Sequence, residues 1–231
     1  MKENGKIIEK KWMTGGMYSQ AIEKIIYWLE KAITVAENDA QKKSLELLVL
    51  FYKTGDLKTF DDYCIAWVKD TASLIDVVNG FIEVYGDPLG RKGSWESIVS
   101  FRDMEASKRI KAISNQAQWF EDHSPIMEEH KKKNISGITA NVITVVQEAG
   151  DAAPTTPIGI NLPNSNWLRQ QYGSKSVSIG NIVYAYEKAK SSGLIKEFFF
   201  NDDIIERIKK FSAIAGAVTT DMHEVIGHAS G

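Results

Sequence analysis

Apolar residues recur every three to four positions over the first third of this chain, give way to short β-branched and aromatic runs, return, and give way again. That double switch of period restricts the chain to a fold in which helices and a sheet share the core. Ala21, Ile22, Ile25, Ile26, Leu29, Ala32, Ile33 and Ala36 define one helical stripe facing a core. A second helical run from about Ala40 to Tyr52 stops at Thr54-Gly55-Asp56. There Gly55 suits a left-handed cap and Asp56 can begin a further helix over about Leu57 to Lys69.

Near Ala72 the pattern changes. Phe81 to Tyr85 and Trp95 to Phe101 are rich in aromatic and β-branched residues and are separated by the turn-forming stretch Gly86 to Gly93, so they read as two strands. Helix is expected again from Met104 to about Phe120, and the charged stretch Glu128 to Asn134 reads as a solvated connection. A second strand-like region runs from Ile138 to Val146 and from Ile158 to Leu162, with Pro154 and Pro157 between. Ile182 to Lys190 and Asp202 to Gly231 return to helix, with Asp202 or Asp203 available as a cap. No internal repeat is visible, and the fold class is α+β, mainly helical segments with a small sheet.

The 231 residues suffice for one large domain or two small ones. A net charge of -2, with 25% charged residues, gives no electrostatic reason to expect nucleic acid or an anionic membrane as partner. The single cysteine, Cys64, cannot form an internal disulfide, and its neighbours Tyr63, Ile65 and Trp67 mark it as a buried small hydrophobe. No apolar stretch reaches the roughly 18 residues that cross a bilayer, and residues 1–11 lack a signal-peptide core, so a cytoplasmic compartment is the expectation.

His223-Glu224-Val225-Ile226-Gly227-His228 carries the chemistry: two nitrogen ligands and a carboxylate that can act as base toward a metal-activated water. Histidines four apart share a helix face, whereas five apart on a regular helix they diverge by about 140°. A one-residue bulge would bring them back together, and Gly227 stands where a distorted backbone or close approach is least costly. The bare pattern equally describes a helix with one solvated and one packed histidine. His123 and His130 lack ligand spacing and read as surface groups.

Followed by Ala229-Ser230-Gly231, this six-residue motif is similar to the signature of the dipeptidyl peptidase III family of zinc exopeptidases. Asn79 to Pro88 resembles the family stretch that supplies substrate-binding and catalytic helper groups, and Trp95-Glu96 follows at the expected distance. Gly159-Ile160-Asn161-Leu162-Pro163-Asn164 looks like the strand against which the substrate backbone lies, and Val177 to Asn181 like the stretch just beyond it. Gly16-Met17-Tyr18 through Trp67-Val68-Lys69-Asp70 looks like bacterial members.

The resemblance implies one zinc ion held by His223 and His228, with Glu224 as general base and Tyr85 hydrogen-bonding the developing oxyanion. Glu83, Asn161 and Asn164 would hold the free α-amino group of a short peptide, so that N-terminal dipeptides are released, and Glu96 would approach the same region. Apart from the family, Tyr85 and Glu83 read as a half-buried aromatic beside a surface acid, and Glu96 as a solvent-facing strand residue. Spacing agrees with the family roles in two places: Glu83 and Tyr85, two apart in a strand, share a face, and Pro163 marks an edge onto which a peptide can add.

The family completes its zinc site with a glutamate from a second motif, E-E-x-x-A-E/D, placed after the first. Glu128-Glu129, the one adjacent glutamate pair, lies upstream and lacks the alanine, so it is no substitute. Two histidines alone should hold zinc weakly, and these residues by themselves are expected to be inactive without the remainder of the parent peptidase. The resemblance further implies a two-lobed fold, with residues 1–103 and 147–190 in a barrel-containing lobe and 104–146 and 191–231 in a helical zinc-binding lobe. A non-catalytic peptide-binding module is the alternative function; a zinc endopeptidase is a weaker one, since it needs no amine clamp.

Overall fold

The computed structural model describes residues 2–84, 86, 89, 93–135, 138–153, 156–189, 192–199 and 201–229. Contacts divide the chain into two compact units, Met1–Ser73 with Gln170–Tyr172, and Leu74–Arg169 with Gly173–Gly231.

The first unit carries a two-residue hairpin, β1 (Lys2–Glu3) and β2 (Lys6–Ile7), and three helices, α1 (Ser19–Ile33), α2 (Asp39–Thr54) and α3 (Leu57–Lys69). Ile22, Ile26 and Leu29 of the expected stripe are buried, as are Leu45, Leu48 and Tyr52 of α2, the helix that α1 packs against, while Ala21 stays exposed and Ala36 falls beyond the helix. Caps act as their chemistry predicts. Gly55 takes φ 63° and its N–H donates to the Phe51 carbonyl, and the Asp56 side chain accepts from the Thr59 N–H. Burial pushes the Cys64 thiol up to about 12, which leaves it un-ionised and inert as a nucleophile at neutral pH.

In the second unit β3 (Ile75–Glu83), β4 (Ser94–Arg102), β5 (Ile138–Gly150), β6 (Gly159–Leu162) and β7 (Ser174–Ile179) form one sheet in the order β3-β4-β5-β7-β6. Only β5 and β7 pair in parallel; the other three pairings are antiparallel. Lys175 of β7 is almost wholly buried and its Nζ lies 2.9 Å from Asp76 Oδ2 on β3, two strands that are not ladder neighbours. The sheet is curled, so its first and penultimate strands approach across the interior.

Several limits differ from the periodicity reading. β3 begins six residues before Phe81, because polar Asn79 is satisfied across the ladder by Ser97 Oγ at 3.1 Å, and Tyr85 lies outside the described residues. The helix expected over Met104 to Phe120 is two, α4 (Met104–Ser114) and α5 (Ala117–Asp122), and Glu128–His130 form a short 3₁₀ turn. Asn166–Tyr172 is helical (α6), and Ser174–Ile179, unread as a strand by its alternation, is buried throughout.

After β7 come α7 (Gly180–Ala189), α8 (Ser192–Phe198) and α9 (Asp202–Met222). The cap of α9 is Asn201, whose side chain accepts from the N–H groups of Asp203 and Ile204. Asp202 and Asp203 instead occupy the first turn, where they complement the helix dipole. Arg109 Nε donates to the fully buried Asp221 Oδ2 at 2.6 Å, tying α4 to the end of α9, and Ile110, Val142 and Val225 pack together beside that pair. Among the described residues no helix is long and apolar enough to cross a membrane.

Candidate active site

Helix α9 does not continue regularly through the histidines. Residues His223–Ala229 form a π-helical turn, whose wider i to i+5 hydrogen-bond register stacks residues five apart. His223 Nε2 and His228 Nε2 consequently lie 3.0 Å apart, with the ring planes at 82°. Glycine is not what permits this turn. A Cβ on Gly227 would meet nothing within 4 Å and its φ is not left-handed, so the expected close approach at that residue is absent.

Side chains from the sheet region hold the turn. Ser176 Oγ donates to the Glu224 carbonyl at 2.7 Å, and the Arg169 guanidinium donates to the His228 carbonyl. Burial, assisted by the neighbouring His223 and Arg169 charges, holds His228 below the usual histidine value, which favours the neutral imidazole that a metal requires. Glu224 is buried, and burial pushes its carboxyl up to about 7, where a group can both accept and return a proton near neutrality.

A cavity of about 510 Å³ joins this turn to the sheet, lined among others by Glu83, Glu96, Asn161, Asn164, Glu224 and His228. Of the residues singled out from the sequence, His223 touches the cavity's His228, and Tyr85 is the one that lies outside the described residues. β6 is an edge of the sheet, paired to β7 on one side only. Asn161, at its third position, has Oδ1 and Nδ2 buried without a hydrogen-bond partner, an arrangement that leaves both donor and acceptor for a ligand. Asn164 Nδ2 reaches Glu83 Oε1 at 3.5 Å.

Sequence reasoning missed Asp151, Arg169 and Ser176, which stand in no pattern that announces a site, and the steric part played by Gly159 within its strand motif. Asp151 and Glu83 matter to Glu96, whose carboxyl is pushed up to about 7 by burial first and by those two charges second. The folded state therefore binds a proton more tightly than the unfolded chain. Stability contributed by protonated Glu96 is complete below about pH 4.5 and is lost as pH rises toward 7. Denaturant titrations from pH 5 to 8 should show that loss together with the parallel one from Glu224, and Glu96→Gln should reduce the slope by its own share; a slope unchanged by Glu96→Gln would show Glu96 to be ionised throughout.

His123 stacks on Trp119 and is exposed, and Glu128 and Glu129 sit on an exposed turn, in keeping with surface roles. Among the described residues no group of three His, Cys, Asp or Glu side chains is placed to hold a metal ion.

The π-helical turn thus presents His-Glu-x-x-Gly-His beside an open strand edge. Residues 2–231 match the model of Peptidase family M49, and the chain belongs to that family. Its relatives include dipeptidyl peptidase 3 of Rattus norvegicus, 29% identical over 222 residues that cover 95% of this chain and 29% of the relative. DPP III from Caldithrix abyssi shares 26% identity and superposes with a TM-score of 0.77 over 87% of this chain and 38% of that one. Dipeptidyl-peptidase III from Corallococcus sp. strain EGB, at 20% identity, shares the fold with a TM-score of 0.75 over 92% of this chain and 39% of its own. This chain spans less than a third of the length of the curated relatives it matches.

Proposed function

We propose that this protein is a zinc-dependent exopeptidase that releases N-terminal dipeptides from oligopeptides. The observation that carries the reading is the convergence of His223 Nε2 and His228 Nε2 to 3.0 Å beside the buried Glu224. Two nitrogen ligands at 2.0–2.1 Å from one tetrahedral zinc ion stand about 3.3 Å apart, so the two rings fit the metal. When bound, zinc supplies a Lewis acid and lowers the pKa of water. His223 and His228 would hold it as neutral imidazoles, and a third protein ligand would come from the family's second glutamate motif.

Glu224, with its carboxyl near 7, takes the proton from the attacking water and delivers it to the leaving amine. Tyr85 donates to the oxyanion that develops on the scissile carbonyl. An extended peptide adds to the free edge of β6, while Glu83, Asn161 and Asn164 hold its α-amino group and Glu96 lies near it in the same cavity, so that cleavage falls at the second peptide bond. In this reading residues 1–103 and 147–190 belong to the lobe that grips peptide and residues 104–146 and 191–231 to the lobe that holds metal. Residues 1–231 alone, with two donors and no third among the described residues, would bind peptide without hydrolysing it.

Mass spectrometry of products from tetrapeptides tests this. The full-length protein should release dipeptides from a free N-terminus, lose at least about 100-fold in kcat/KM when that amine is acetylated, and stop when a chelator is added. Internal cleavage, or turnover indifferent to chelation, would overturn it.

A further inference from the structure

Glu224 is held from two directions by the strand pair that forms the cleft wall. Gly159 opens β6, faces Ser178 of β7 in the ladder, and has an ordinary backbone, so its φ does not call for glycine. What does call for glycine is Glu224. A Cβ at position 159 would stand 2.1 Å from Glu224 Oε1, 2.4 Å from its Cδ and 2.8 Å from its Cγ. Real Cβ contacts do not approach this closely, so a methyl at position 159 would fit only if the Glu224 carboxylate left its place against β6 and moved into the cavity it lines. The carboxylate therefore rests directly on the bare Cα of the edge strand's first residue.

The backbone of Glu224 is fixed separately. Where a helix changes from the i+4 to the i+5 register, a carbonyl can be left without its helical donor, and a buried one must find another. Ser176, fully buried in β7, donates its Oγ–H to the Glu224 carbonyl at 2.7 Å. Ser176 is also the ladder partner of Asn161, so one strand pair sets the carboxylate, the peptide bond it belongs to and the unpartnered amide in the cleft.

We propose that Gly159 and Ser176 are positioning residues for Glu224: Gly159 by leaving room for its carboxylate against β6, Ser176 by anchoring its carbonyl to β7. The proposal rests on the reading of Glu224 as general base. It accounts for a glycine that neither a turn nor a left-handed φ requires, and for the partner of the buried Ser176 hydroxyl.

A double-mutant cycle in the full-length protein tests it. Gly159→Ala should lower Tm by about 3–8 °C when Glu224 is present and by less than about 2 °C in a Glu224→Ala background, where the methyl has room. Equal losses in both backgrounds would overturn the steric part. Should Gly159→Ala alone fail to fold, the double variant is expected to fold, and its failure would count the same way. Ser176→Ala should lower kcat by about 10- to 100-fold while KM stays within about 2-fold and zinc affinity within about 3-fold, the signature of a misplaced base. A lower Tm with kcat unchanged would make Ser176 structural only and overturn that half. If Glu224→Gln proves fully active the base reading falls, yet the Tm coupling of positions 159 and 224 would still be seen, so the two failures are distinct.

Discussion

Replacing Glu224 by Gln should lower kcat of the full-length protein by about 10³- to 10⁴-fold while its zinc content stays unchanged. The substitution keeps shape and volume in a buried position and preserves the packing on Gly159, so the fold has little reason to respond. In the proposed reading it removes the proton acceptor. Burial has already brought the carboxyl to about 7, the range in which proton acceptance from water and donation to an amine are balanced, and an amide can do neither. Because the change acts on the reacting proton and not on binding, KM should move little. Steady-state kinetics on a chromogenic dipeptidyl substrate, with metal content measured in parallel, gives both numbers. Activity within tenfold of the parent would remove Glu224 from the chemistry.

His223→Ala and His228→Ala should fail in the opposite order, losing metal first and turnover as a consequence. Each removes one of two imidazoles that meet at 3.0 Å, and the remaining ligand cannot hold the ion in place. Zinc affinity should drop by at least about 100-fold, more than the loss typical of disturbing groups outside the ligand set. Turnover should fall below detection at ordinary zinc concentrations. Competition against a chromogenic chelator reads the affinity. The paired outcome is informative: metal kept and turnover lost at Glu224, metal and turnover lost together at the histidines. Unchanged zinc affinity in both histidine variants would place the metal elsewhere.

Part of the local structure could be read from sequence because its signals are local. The Gly55 cap and the Asp56 start follow from single-residue chemistry, and the edge position of β6 is announced by Pro163, which has no N–H to give a ladder. Histidines five apart can meet only through an irregular turn, one of the two readings the spacing left open, and a π-helical turn is what the chain forms. Its support was assigned to the wrong residue. Gly227 lies in open space, whereas the carbonyls of the turn are held by Ser176 and Arg169, which are distant in sequence.

β7 escaped notice for the same reason. Ser174, Lys175, Ser176 and Ser178 look solvated to any hydropathy argument, yet Lys175 is paired with Asp76 and Ser176 with the Glu224 carbonyl, partners that exist only once the sheet has curled. Polar residues satisfied by tertiary contacts carry no periodic signature. Gly159 is similar: its glycine is dictated by a side chain 65 positions along the chain, which nothing nearby reveals.

Zinc-edge X-ray absorption of the zinc-loaded full-length protein examines the paired imidazoles without relying on turnover. Two imidazole nitrogens should appear at about 2.0 Å, with the outer-shell scattering of their rings, and His228→Ala should remove one of them. A first shell with no imidazole contribution, or one that His228→Ala leaves unaltered, would contradict the assignment of His223 and His228 to a shared metal.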